Sequence, residues 1–205
     1  MEIIHKYFPE LNSQQVARLS ELESIFTQWN QKVNLISRKD IPFLYERHIL
    51  HSLSIAKYFQ FPSKTRILDV GTGGGFPGIP LAIYFDSAEF LLVDSIGKKI
   101  AAVNDIIHHL ELRNCQALQT RVETMPDSFD FIVSRAVTRF DEFVKLTRGK
   151  VCRGSNNHDH GIIYLKGGAF DDEIKYLKQK ITIFSLKNIF EEDFFSTKKI
   201  IYLKI

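Results

Sequence analysis

The chain has 205 residues, 44% of them hydrophobic and 25% charged, with 17 Phe and a formal net charge of +3; this is the make-up of an ordinary globular protein and excludes a disordered tail or a disulfide scaffold. Its length fits one domain with some extra. No apolar stretch approaches the roughly 18 residues of a membrane helix, and the start "MEIIHKYFPE" lacks the basic opening and apolar core of a signal peptide, so a cytoplasmic location is expected.

In chain order, Leu11-Asn12 followed by Gln15 reads as a helix cap with a Leu11/Val16 staple. Val16, Leu19, Leu22, Ile25, Phe26, Trp29 and Val33 then fall on one helical stripe, which makes Trp29 a core residue before it is anything else. A second helix is expected from near Asp40, with Pro42 in its first turn, through "FLYERHILHSLSIAKYF". The pattern changes near Ser63. Short runs rich in Val, Ile, Leu and Phe now alternate with helical segments: "RILDV", a helix from about Pro77, "EFLLVDS", the helix "KKIAAVNDIIHHLEL", "CQALQTR", "FDFIVSRA", the helix "FDEFVKLTR" and "GIIYLK". Such alternation builds crossover units around a parallel sheet. The last two runs, "KITIFSLKNI" and "KKIIYLKI", stand too close for a helical crossover and predict an antiparallel pair at the sheet edge. The expected fold is therefore α/β and Rossmann-like: a mostly parallel seven-stranded sheet over residues 63–205, one compact unit, preceded by a helical extension over 1–62.

"DVGTGGGFPG", Asp69 to Gly78, follows the first strand and leads into a helix, the place where a glycine turn lets backbone approach a nucleotide. Two registers fit. Gly73, Gly75 and Gly78 match the dinucleotide pattern, while Asp69, Gly71, Gly73 and Gly75 make D-x-G-x-G-x-G. Asp69 favours the second, since a carboxylate there repels pyrophosphate but attracts the ammonium and sulfonium of S-adenosylmethionine. Asp94, ending the second strand, is placed to accept both ribose hydroxyls of either cofactor. In "TRVETM", Val122 and Glu123 offer a backbone amide and an acceptor to adenine, although an ordinary strand-to-turn segment reads the same way. A nicotinamide-dependent oxidoreductase, and a nucleoside fold that binds RNA or regulates without turnover, stay open as alternatives.

The combination of "DVGTGGGFPGIPLAI", "LVDSIGKK", "TRVET", "IVSRAVTR" and "YLKGG" with "WNQKVNLIS" and "RHILHSL" resembles the bacterial small-subunit ribosomal RNA methyltransferase G family, also called glucose-inhibited division protein B. The resemblance runs from about Trp29 to Gly168. It implies a class I methyltransferase fold over 63–205 and an S-adenosylmethionine-dependent enzyme that methylates N7 of one guanosine in 16S ribosomal RNA, naked or within a small-subunit assembly intermediate. By motif position it implies cofactor contacts from Gly71, Phe76, Val122, Glu123 and Arg135, beside Asp69, Gly73 and Asp94 from the reading above. The chain departs from the family at His51, where Asp is usual, and in the loop "CRGSNNHDHG".

Guanine N7 has a free lone pair, so the reaction needs no catalytic base, and none is assigned; positioning supplies the rate. Arg135 is expected to serve cofactor, loop or phosphate. Arg139, Lys166, Lys98 and Lys99, with basic N-terminal residues, are expected to form one RNA-facing surface around the cofactor mouth. Cys115 and Cys152 are too few and too scattered for a disulfide or metal framework. His158-Asp159-His160 lacks the further ligands of a closed metal site, so no metal is expected. His108 and His109 are read as solvated helix-end residues, His48 and His51 as facing either sheet or substrate, and the chain as a monomer.

Overall fold

The Asn12 side chain accepts the Gln15 amide while the Gln15 side chain accepts the Asn12 amide, both at 2.9 Å, a complete capping box. It opens α2 (Ser13–Lys32), which follows a short α1 (Glu2–Tyr7). The structure, a computed structural model, describes residues 1–135, 137–152, 160–177 and 180–205. Leu19, Leu22, Ile25 and Phe26 of the expected stripe are buried, and Trp29 packs half-buried against the same core, its indole N–H donating to Asp105 at 2.6 Å.

The second helix differs from expectation. Its residues form a 3₁₀ turn (Arg38–Phe43), a π-helical stretch (Leu44–Leu50), one α turn, α3 (His51–Leu53), and a closing 3₁₀ turn (Ser54–Lys57). Two causes are visible. Pro42 lies inside the 3₁₀ turn, and the hydroxyls of Ser52 and Ser54 donate to the carbonyls of His48 and His51, both at 2.6 Å, competing with the regular ladder. Arg47, His48 and His51 of this stretch line one pocket together with Arg135.

The remaining elements appear in the expected order: β1 (Arg66–Val70), α4 (Gly78–Tyr84), β2 (Glu89–Asp94), α5 (Gly97–His109), β3 (Cys115–Gln119), β4 (Phe131–Arg135), α6 (Phe140–Leu146), β5 (Gly161–Gly167), α7 (Asp171–Ile174), β6 (Ile181–Ser185) and β7 (Lys198–Lys204). They form one seven-stranded sheet of order β3-β2-β1-β4-β5-β7-β6. The first five strands run parallel, and β7 pairs antiparallel with both β5 and β6. The C-terminal pair is thus antiparallel as expected, with the last strand inserted inside the edge.

Strand alternation sorts the core. Ile67, Phe90, Leu92, Phe131, Val133, Ile163 and Leu165 face one side, where α4, α5 and the N-terminal helices pack. Leu68, Val70, Val93, Ile132, Ile162 and Tyr164 face the other, covered by Phe140 and Phe143 of α6 and Ile174 of α7. Chain order reverses between β1 and β4, so the crevice beyond their carboxyl ends is where an open sheet of this kind takes its ligand.

Candidate active site

Gly71 leaves β1 with φ +68, and a Cβ there would meet Val137 Cγ2 at 2.4 Å; the turn needs both the left-handed conformation and the missing side chain. The amides of Gly71 and Thr72 donate to the Val93 carbonyl, stitching the turn to β2. Asp94 completes the stitch. Its Oδ2 accepts the Gly73 amide at 3.0 Å and its Oδ1 accepts the Ile96 amide at 2.9 Å, leaving acceptor capacity on each oxygen.

These groups line an open cleft of about 410 Å³, a volume that holds a nucleoside-sized ligand. Val70 and Val93 at the strand ends, with Val122 and Leu146, give it apolar walls; Gly71, Gly73, Asp94, Lys99, Glu123 and Arg135 give it polar ones. Six of the eight expected cofactor residues therefore meet in one place. Val122 is buried in a 3₁₀ turn with Glu123 exposed beside it. Lys99 sits in the first turn of α5, where the helix dipole disfavours a cation, and lines the cleft.

The other two, Asp69 and Phe76, are not among the residues that line this cleft. Asp69 is fully buried and turned toward α4. Its Oδ2 accepts the Thr72 hydroxyl at 2.7 Å and the Gly78 amide at 2.9 Å, while Oδ1 has no hydrogen-bond partner among the described residues. Burial raises its pKa to about 7 against the pull of those hydrogen bonds. The carboxylate thus occupies the amide at the start of α4, the group that holds pyrophosphate in a dinucleotide site. A Cβ on Gly78 would lie 2.8 Å from the same oxygen, so the close approach demands glycine. Phe76 is buried against Phe26 and His48, with ring centroids at 5.1 and 5.4 Å, and braces the loop from behind.

Arg135, ending β4, lines the cleft and also a second pocket on its far side. Its guanidinium donates to the Arg47 carbonyl at 3.3 Å, lies 2.9 Å from His48 Nδ1 and stands 5.2 Å from the Phe76 ring centroid. Burial lowers its pKa to about 10, opposed by the charges of Asp69 and Asp40. Burial also lowers His48 to about 3, helped by Arg135 and Arg47, and lowers His51. Both imidazoles are neutral at physiological pH, so His48 Nδ1 accepts from Arg135.

Two of the residues expected on the RNA face, Arg139 and Lys166, are ion-paired within the chain. Arg139 donates to Asp141 at 3.2 Å and to Asp172 at 2.8 Å. Lys166 is paired with buried Glu173 at 2.6 Å, and that carboxylate also accepts the Phe140 amide; the lysine ties β5 to α6 and α7. Lys98 is exposed beside Lys99. Among the expected bland residues, His109 Nδ1 lies 3.0 Å from the Asp105 carbonyl at the end of α5. His158 and Asp159 lie outside the described residues, and no helix among those described is long and apolar enough to cross a membrane.

A sheet of this order, with a cleft whose helix start is already filled by a carboxylate and whose second strand ends in an acid, defines an S-adenosylmethionine-dependent methyltransferase rather than a dinucleotide enzyme. In solved structures the fold recurs in a SAM-dependent methyltransferase from Aquifex aeolicus, with TM-score 0.57 and 16% identity over 80% of this chain and 93% of that one. A family model described as rRNA small subunit methyltransferase G matches residues 15–201. The chain is 48% identical over 204 residues to the ribosomal RNA small subunit methyltransferase G of Cytophaga hutchinsonii, covering 99% of each. It is 50% identical over 206 residues to that of Christiangramia forsetii, covering 99% of this chain and 96% of the relative. The chain belongs to the rRNA small subunit methyltransferase G family.

Proposed function

We propose that this chain methylates N7 of a guanosine in 16S ribosomal RNA, acting as a cytoplasmic monomer on the small subunit or an intermediate in its assembly. The same reading divides the chain into a helical extension, 1–62, and a methyltransferase unit, 63–205. The observation that carries it is the cleft, in which a nucleoside seat and a guanidinium converge while the imidazoles behind that guanidinium, His48 and His51, are held neutral and buried.

S-adenosylmethionine, when bound, supplies a sulfonium methyl, and N7 supplies the lone pair that takes it with no proton to remove. Asp94 is assigned to the ribose hydroxyls, having acceptor capacity left after Gly73 and Ile96. Val122 and Glu123 are assigned to the adenine, one as apolar wall and backbone donor, the other as acceptor. Gly71 and Gly73 let the backbone close on the ligand. Asp69 and Phe76 act at one remove, fixing the loop through Gly78 and Thr72 and through Phe26 and His48. Arg135 is assigned to holding the two sides of the site in register, since a cation beside the purine opposes the positive charge that arrives with the methyl. Catalysis in this scheme is orientation of two bound reactants, a contribution of about 7–11 kcal/mol when the geometry is right.

The test is to incubate the protein with methyl-labelled S-adenosylmethionine and either naked 16S RNA or small subunits, then map the modified nucleotide. Label at N7 of a single guanosine is expected. Label on another atom, on protein or on a small molecule overturns the substrate assignment, and absence of cofactor binding favours a non-catalytic RNA module.

A further inference from the structure

A second pocket lies across Arg135 from the cofactor cleft. It lies at the same end of the sheet, between the irregular N-terminal helical turns and the edge made by the end of β5 and the start of β7. Four cations line it, Arg47, Arg135, Lys166 and Lys198, against one carboxylate, Asp40. Asp40 binds Arg47 at 3.0 Å and Glu173 takes Lys166. Among the described residues Lys198 has no carboxylate within ion-pair distance; its ammonium stands 4.5 Å from the Phe194 ring centroid.

Two buried polar atoms of residues that line this pocket, Arg47 Nε and His51 Nε2, have no hydrogen-bond partner among the described residues, and His51 is only 5% exposed. Buried polar atoms ordinarily find partners. Here they accompany an excess of positive charge: partial burial, and then the charges of Arg47 and Arg135, lower the pKa of Lys198. Arg47 is held ready, its guanidinium 3.8 Å from the centroid of Phe43, a ring 41% exposed. A fixed guanidinium beside a free ammonium in a half-open pocket suits a phosphate oxyanion. An aromatic face next to it suits the splayed bases of single-stranded RNA.

We propose that the pocket formed by Arg47, Arg135, Lys198 and His51 seats a backbone phosphate of the substrate RNA beside the target guanosine. The proposal rests on the reading of the chain as an RNA methyltransferase. Arg135 then contacts both bound partners and couples the position of the RNA strand to that of the cofactor. Arg139 and Lys166 are paired with carboxylates, as Arg47 is with Asp40, whereas Lys198 has no such partner among the described residues and supplies the charge that phosphate meets.

The test is the binding of 16S ribosomal RNA, measured without turnover, by wild type, Lys198→Met and Lys198→Arg over about 50 to 200 mM salt. Loss of one phosphate contact is expected to flatten the slope of log affinity against log salt by about 0.7 to 0.9, so that the deficit of Lys198→Met shrinks about threefold across that range. Lys198→Arg is expected to restore the wild-type slope, and S-adenosylmethionine affinity to stay unchanged in both, which shows that they fold. An unchanged slope in Lys198→Met overturns the pocket assignment. So does inorganic phosphate bound by wild type with no change in RNA binding by the variant, because the pocket then serves a free anion. Methyl transfer, assayed separately, tells the two readings apart: a wild type that methylates RNA with an unaltered Lys198→Met slope sinks the pocket alone, and a flattened slope with no methyl transfer sinks the enzymatic reading alone.

Discussion

The cofactor cleft and the basic pocket share Arg135 and one end of the sheet, yet they are built in opposite ways. The cleft is local. Its turn, its acid and its adenine wall follow β1, β2 and β3 in order, and backbone amides bound to Asp94 and to the Val93 carbonyl hold it. The pocket is assembled from residues distant in the chain, Asp40 to His51, Arg135, Lys166 and Lys198, and side chains hold it. A site made of backbone is rigid and motif-bound; one made of long side chains depends on each ion pair and on salt.

The largest effect is expected where the cleft has no slack. Gly71→Val places a branched side chain at a left-handed φ and against Val137, a strain of about 1–3 kcal/mol before any steric block of the ligand. S-adenosylmethionine affinity measured calorimetrically should fall about a hundredfold, while the RNA salt slope stays at the wild-type value. An unaffected affinity would mean that the turn does not hold the cofactor.

Arg135→Ala should blur the comparison, because among the described residues it removes the one common to both sites. Losing a charge-assisted hydrogen-bond partner costs about 1.5–3 kcal/mol, so a drop of about tenfold or more is expected in both cofactor affinity and RNA affinity. A variant with both bindings and the rate unchanged would remove Arg135 from the account.

A smaller effect sharpens the electrostatics behind Arg135. The folded pKa of His48 is lowered to about 3 from an unfolded value of 6.5, so between those values the unfolded chain takes up a proton that the folded protein refuses. Stability is therefore full above about pH 6.5 and is lost as pH falls toward 3, by at most about 1.4 kcal/mol per pH unit for this group. In thermal melts His48→Gln should lose less stability than wild type across that window. Parallel curves would mean that His48 is not held neutral.

The smallest effect is expected from Lys166→Met and Arg139→Met. Their charges are satisfied by Glu173, and by Asp141 and Asp172, so the RNA salt slope should stay within about 0.2 of wild type, well under the 0.7 to 0.9 of one lost phosphate contact. A loss as large as that of Lys198→Met would restore the broader basic face.

The sequence was most informative where structure is local. Asn12 and Gln15 form the cap that their spacing announces, and the order of strands and helices after Ser63 follows from hydrophobic alternation. Asp69 was legible as a mark against pyrophosphate, but its means was not: it accepts the Gly78 amide and lies outside the lining of the cleft, a direction set by its parity on β1. The broken second helix was hidden because serine back-bonding to carbonyls depends on rotamers. The neutralisation of Arg139 by Asp172 was hidden because the partners come from different elements. The pocket at Lys198 was hidden for the same reason, and because nothing in "FSTKKI" shows that β7 inserts beside β5.

The division between the two sites is tested most directly by crossing Asp94→Ala and Lys198→Met and titrating each variant with S-adenosylmethionine and with 16S ribosomal RNA. Asp94→Ala is expected to lose cofactor affinity about tenfold or more with the RNA salt slope intact, and Lys198→Met to flatten that slope with cofactor affinity intact. Either variant losing both, or the two losses exchanged, would contradict a cofactor cleft and a phosphate pocket that meet at Arg135.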